Sequence, residues 1–178
     1  MTRYVALFGS VNVGGNRLTM ADLRYAFERE EFEDVETVVS SGNVLFSFDD
    51  RPTHGLEDLF AHMMRERFDI QSFVAVRTAD EIRAGIESNP FHGDGADNLV
   101  HTQFLACQPS VEQFAKLVAD YEGRGPERMA PGERSLFIDY GEGVGGSRLT
   151  EPFIARRLGC EGTARNMRSL ARILDKMI

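Results

Sequence analysis

Val35-Glu36-Thr37-Val38-Val39-Ser40-Ser41-Gly42-Asn43-Val44-Leu45-Phe46-Ser47-Phe48 holds two β-branched and aromatic runs, 35–39 and 44–48, joined by four residues of turn composition. It predicts a β-hairpin, and what flanks the hairpin decides the fold. Upstream, Thr19 is placed to cap a helix, with Asp22 three residues on, Leu18 and Leu23 as a hydrophobic staple, and Leu23, Ala26 and Phe27 on the buried face. Before that, Tyr4-Val5-Ala6-Leu7-Phe8 is an unbroken apolar run, the pattern of a strand covered on both faces. Downstream, Leu56, Leu59, Phe60, Met63 and Met64 recur at helical spacing, and Phe73-Val74-Ala75-Val76 reads as a further strand. The order β-α-β-β-α-β is the split βαβ or ferredoxin-like arrangement.

The same order recurs. Thr78-Ala79-Asp80-Glu81 is a capping box that opens a short helix, which must stop near Asn89-Pro90 because the residue before proline disfavours helix. The polar stretch Phe91 to Asn98 reads as a linker. Beyond it come a strand from Leu99 to Ala106 and a helix from Ser110, boxed by Gln113, with Phe114, Leu117 and Val118 expected inside. Next are a strand at Arg128 to Ala130, a turn at Pro131-Gly132-Glu133-Arg134 and a strand from Leu136 to Tyr140. Thr150 caps a helix with Pro152 in its first turn and Gly159 as its stop, and a weak strand spans Glu161 to Ala164. The last helix, Asn166 to Met177, is expected to bury Met167, Leu170, Ala171, Leu174 and Met177, with Arg165, Arg168 and Arg172 following one another on another face. The fold class is therefore α+β, two ferredoxin-like halves each followed by an extra helix, divided as residues 1–91 and 92–178. The halves share element order and not residues.

With 178 residues, 42% hydrophobic and 27% charged, the chain falls in the globular range, which excludes disordered, collagen-like and coiled-coil classes. No apolar run reaches the roughly 18 residues of a membrane helix and no signal-peptide layout opens the chain, so the expected location is cytoplasmic. Cys107 and Cys160 are too few for a disulfide framework, lie outside CxxC spacing, and read as ordinary buried thiols. A net charge of −8 disfavours nucleic acid and anionic membranes. Residues 148–178 nevertheless balance at +4 and the remainder at −12, which marks either an anion site near the C-terminus or a match between acidic and basic surfaces. Eighteen of the twenty basic residues are Arg, so no single Arg stands out by type alone.

Few motifs carry chemistry. Asn12-Val13-Gly14-Gly15-Asn16 lies between a strand and a helix, where free backbone N–H groups can face an anion; the favoured reading is a glycine-rich tight connection. Gly141, Gly143 and Gly146 spell GxGxxG after a strand, but the next helix opens at Thr150 and the strand belongs to a hairpin, so a dinucleotide site is rejected. His54, His62, His92 and His101 show no metal-ligand spacing, and no metal or cofactor is expected. No hydrolase signature or RNP-like strand appears, which leaves the catalytic residues unknown and RNA binding a minor alternative.

Ala6-Leu7-Phe8-Gly9-Ser10-Val11-Asn12-Val13-Gly14-Gly15, Met20, Leu23, Ser41-Gly42-Asn43-Val44 with Phe46, Asn89-Pro90-Phe91, Ser147-Arg148-Leu149 and Thr163-Ala164-Arg165-Asn166 together resemble the bacterial domain of unknown function 1697 family. The resemblance spans most of the chain in order. It implies two ferredoxin-like α+β halves and no established activity, substrate or cofactor. Family members usually open with Leu-Arg-Gly-Ile-Asn-Val-Gly-Gly; Gly9 and Ser10 replace the Arg-Gly pair, and Met167 stands where a Trp usually follows Arg-Asn.

Polar and glycine residues at strand–helix and turn junctions point to a binding module. The expected site is a cleft between the halves, taking a small phosphate- or carboxylate-bearing ligand on Asn12, Gly14, Gly15, Ser41, Asn43, Arg165 and Asn166. The rival expectation is a protein-interaction or homo-oligomerising module in which the same residues are caps and turn formers. An unrecognised enzyme is a further alternative.

Overall fold

The computed structural model describes residues 1–9, 18–39 and 42–178. The elements follow the order read from the sequence: β1 (Thr2–Phe8), α1 (Met20–Arg29), β2 (Glu33–Thr37), β3 (Asn43–Phe48), α2 (Thr53–Phe68), β4 (Val74–Thr78) and α3 (Ala79–Glu87). The order then repeats as β5 (Val100–Leu105), α4 (Val111–Tyr121), β6 (Arg128–Gly132), β7 (Ser135–Asp139), α5 (Glu151–Leu158), β8 (Gly162–Asn166) and α6 (Met167–Met177). Strands pair antiparallel as β2-β3-β1-β4 and β6-β7-β5-β8, the same ferredoxin-like order twice. The chain forms two compact units, Met1–Arg83 with Ala171–Ile178, and Ala84–Leu170.

In the first unit α1 and α2 cover one face of the sheet. Tyr4, Ala6, Phe8, Val44, Phe46, Val74 and Val76 point into a core filled by Phe27, Phe32, Phe60 and Met64. Phe27 stacks on Phe60 with centroids 4.5 Å apart, and Phe46 meets both rings edge-on. Val5, Leu7, Leu45 and Ala75 are inaccessible as well, so β1 is buried without alternation, as its continuous apolar run predicts. Asp34, at φ 49°, shifts the β2–β3 register, and Arg3 donates to its carbonyl oxygen at 2.6 Å.

Local chemistry sets the ends of these elements. Thr19 and Asp22 close a full capping box on α1, Thr78 and Glu81 do so on α3, and Ser110 and Gln113 on α4. Gly159, at φ 79°, ends α5 in the left-handed conformation that favours glycine. An outward N–H of edge strand β4, that of Val76, is answered by Glu57 of α2 at 2.9 Å. The same Glu57 oxygen accepts from the buried Arg77 at 2.8 Å.

Five sequence expectations require correction. Cys107 and Cys160 are not free thiols: they form a disulfide with Cα atoms 6.1 Å apart. The 53-residue separation gave no spacing signal, since the contact arises only when the β5–α4 and α5–β8 connections meet. The turn after β6 is two residues, Glu133-Arg134, because Pro131 and Gly132 still pair with Leu136 and Ser135; an edge strand tolerates the missing proline N–H. Val118 is 47% exposed. On α6 the buried stripe runs through Met167, Leu170, Ile173 and Met177, which leaves Ala171 exposed and Leu174 only half-buried. Arg165 belongs to β8, so it does not share a helix face with Arg168 and Arg172.

Candidate functional site

Of the seven residues expected to bind a ligand, Asn12, Gly14, Gly15 and Ser41 lie outside the described residues. Asn43 opens β3 in the first unit; its Nδ2 donates to the carbonyls of Val38 and Val39 at 3.1 and 3.5 Å and ties the hairpin. Val39 there takes φ 51°, a left-handed conformation that is strained for a β-branched residue. Arg165 and Asn166 are neighbours at the end of β8 in the second unit. Asn166 Oδ1 accepts from Ser169 N at 2.8 Å and caps α6.

Arg165 is only partly covered as a residue, yet burial of its guanidinium pulls the pKa down to about 10. Nη1 donates to Thr163 Oγ1 at 3.0 Å and to the Ala164 carbonyl at 2.9 Å. On the neighbouring strand, Thr102 pairs with Arg165 and His101 pairs with Asn166. The His101 imidazole is pushed below its ordinary 6.5 by burial, against a raising hydrogen bond to the Leu99 carbonyl and with a smaller lowering by the charge of Arg165. Its Nδ1 lies 3.1 Å from that carbonyl oxygen, which assigns the proton of the neutral ring to Nδ1 and leaves Nε2 as an acceptor. The ring stands edge-on to Tyr140, centroids 4.8 Å apart. Burial first, and then the nearby carboxylate of Glu151, raise the Tyr140 phenol to about 12, so it stays a neutral donor at physiological pH.

Two further acidic groups belong to this unit. Glu151 lies at the surface as a residue, but its carboxylate is drawn against the strands, accepting from Gln103 Nε2 at 2.8 Å and Gly162 N at 3.2 Å. Desolvation outweighs both bonds and raises its pKa. Glu127 accepts from Tyr121 Oη at 2.5 Å and from Ser147 Oγ at 2.7 Å. Asn89, from the Asn-Pro-Phe stretch, donates to the His101 carbonyl at 3.1 Å and to Thr102 Oγ1 at 3.2 Å, and accepts from Phe91 N at 2.9 Å. Most polar residues of the quoted motifs that are described here thus have a structural task; Arg165, which shares the Thr102 face of the sheet and not the His101 face, stands out by its desolvated guanidinium.

Tyr140, Gln103 and Glu151 escaped the sequence reading, which weighed His101 only as a metal ligand. Their strand patterns are unremarkable; the β7-β5 pairing brings Tyr140 to His101, and a hydrogen bond from Gln103 draws in Glu151 from α5. Gly141 and Gly143 take positive φ in the connection before α5, and the helix opens only at Glu151, so the GxGxxG letters do not form a dinucleotide fingerprint. Among the described residues no three His, Cys, Asp or Glu side chains converge to hold a metal ion, and no helix is long and apolar enough to cross a membrane.

Comparison with known proteins agrees with this architecture. The structure of a conserved bacterial protein, SP0830 from Streptococcus pneumoniae, superimposes with a TM-score of 0.75 over 99% of each chain at 22% identity, a likeness of fold. No curated protein matches the sequence. Residues 1–137 match the family described as protein of unknown function (DUF1697), and with three quarters of its length so matched, the chain belongs to that family.

Proposed function

We propose that the chain is a binding module for a small anionic ligand, phosphate- or carboxylate-bearing, with Arg165 as the cation that meets it. The desolvated guanidinium carries this reading: the surroundings that pull its pKa to about 10 also screen charge weakly, so an anion is held there more strongly than at a surface arginine. Its planar fork suits two-point contact with either anion. Asn12, Gly14, Gly15, Ser41, Asn43 and Asn166 stay candidates on the strength of the sequence alone; the Asn43 amide nitrogen and the Asn166 amide oxygen are engaged within the fold. The location we propose is the cytoplasm.

Thermal unfolding against a panel of phosphosugars, nucleotides and carboxylates tests the reading. A ligand at 100 times its Kd adds about 2.7 kcal/mol, or roughly 5–10 °C for a chain of this size. The expected result is a shift from one chemical class that Arg165→Ala abolishes and Arg165→Lys weakens. A flat panel, or a shift that survives Arg165→Ala, removes the proposal.

A second reading, self-association, is favoured by the exposed apolar stripe of α4. Val111 is 81% and Val118 47% exposed, and with Ala115, Phe114 and Pro131 they line a groove of about 660 Å³. A sedimentation coefficient that rises with concentration and is flattened by Val118→Asp supports that reading; a concentration-independent monomer excludes it.

A further inference from the structure

The Cys107–Cys160 disulfide joins two connections of the second unit at a point where several local contacts depend on one short segment. Cys107 follows β5 and directly precedes Gln108. Gln108 Oε1 accepts from Arg134 N at 2.6 Å, and Nε2 donates to the carbonyls of Pro109 and Gly132 at 3.2 and 3.5 Å. One side chain thereby clamps the β6–β7 turn to the start of α4, which Ser110 caps two residues later. Cys160 follows Gly159, the left-handed stop of α5, and packs on the core built from Leu105, Phe114 and Leu158. The bridge holds the end of α5 against the segment that carries the clamp. Both cysteines are half-buried and not sealed in the core, and the chain has no third cysteine to divert exchange.

We infer that this bridge is a thiol–disulfide exchange site, a reversible latch whose opening releases the Gln108 clamp. A dithiol supplies the reducing equivalents. Its thiolate attacks one protein sulfur, the S–S bond breaks and the other sulfur leaves as a thiolate; the second thiol of the reagent then displaces the first protein sulfur and closes a cyclic disulfide. The protein gains two electrons and two protons as two thiols. In a reducing compartment such a bridge is a switchable element and not a permanent staple. Once it opens, residues 107–109 lose their anchor, the Arg134 amide loses its acceptor, and the groove between α4 and β6, walled by Pro109 and Pro131, changes shape.

Two measurements on the full chain under native conditions decide it: maleimide labelling read by mass, and hydrogen exchange at the Arg134 amide, each with and without dithiothreitol. No label before the dithiol and two after it are expected, with Arg134 exchange at least about tenfold faster in the reduced chain. The double variant Cys107→Ser, Cys160→Ser should exchange at the reduced rate with no response to dithiol. Gln108→Ala should speed Arg134 exchange with the bridge still closed. A bridge that resists dithiothreitol until the whole chain unfolds overturns the inference. Equal Arg134 exchange in the two states of the unaltered chain does so too, whether or not the serine variant folds.

Discussion

Arg77 is 2% exposed and shares Glu57 Oε2 with the Val76 amide, so a full guanidinium and a carboxylate are both withdrawn from water beside the edge of the first sheet. Removing one partner leaves the other charge buried without this counter-charge, which costs about 3–5 kcal/mol; replacing both by apolar groups of similar volume is close to neutral. Urea denaturation of Arg77→Met, Glu57→Leu and the double variant should show two large losses and a double far milder than their sum. Additive losses would show that the two side chains act independently. His101 gives a pH signature. Its folded pKa lies below 6.5, so between that pKa and 6.5 the unfolded chain binds the extra proton and stability rises with pH. Denaturation midpoints followed from pH 7 to pH 5 should therefore fall, and His101→Phe should flatten that part of the slope.

Helix boundaries were legible because their determinants are local. Thr19 with Asp22, Thr78 with Glu81 and Ser110 with Gln113 close the boxes their spacing predicts, and Thr19→Ala should lose about 1 kcal/mol in urea denaturation. Apolar period identified most buried faces, yet it failed for Val118, a residue of the right type lying beside a groove and not over the sheet. Pro131 misled for a related reason: proline marks turns, and whether it can sit in a strand depends on that strand being an edge, which no short window states. The β2–β3 hairpin offers a direct test of strain. Val39 holds φ 51°, so Val39→Asn should raise stability by about 1 kcal/mol, Asn being tolerant of that conformation. A loss of stability would show that Val39 packing outweighs its backbone cost.

Across the whole molecule, what the sequence concealed is what the sheets assemble. The repeated β-α-β-β-α-β order and the candidate residues Arg165 and Asn166 could be read from the chain, but the contact of His101 with Tyr140 depends on β5 lying beside β7. The disulfide is likewise a product of topology, closing a span of 53 residues. By the chain-entropy account it contributes about 2–4 kcal/mol, and its reduction should lower Tm by about 10 °C in a chain of this size. The central claim, an anion held at Arg165, is tested through His101, whose imidazole is lowered chiefly by burial and in smaller part by the charge of Arg165. The measurement is the His101 pKa by NMR in the free protein, with saturating phosphate- and carboxylate-bearing compounds, and in Arg165→Gln. The account predicts a pKa below 6.5 in the free protein that rises when an anion binds and rises also in Arg165→Gln, after which anions no longer move it. A His101 pKa indifferent to every anion in the unaltered protein would contradict it.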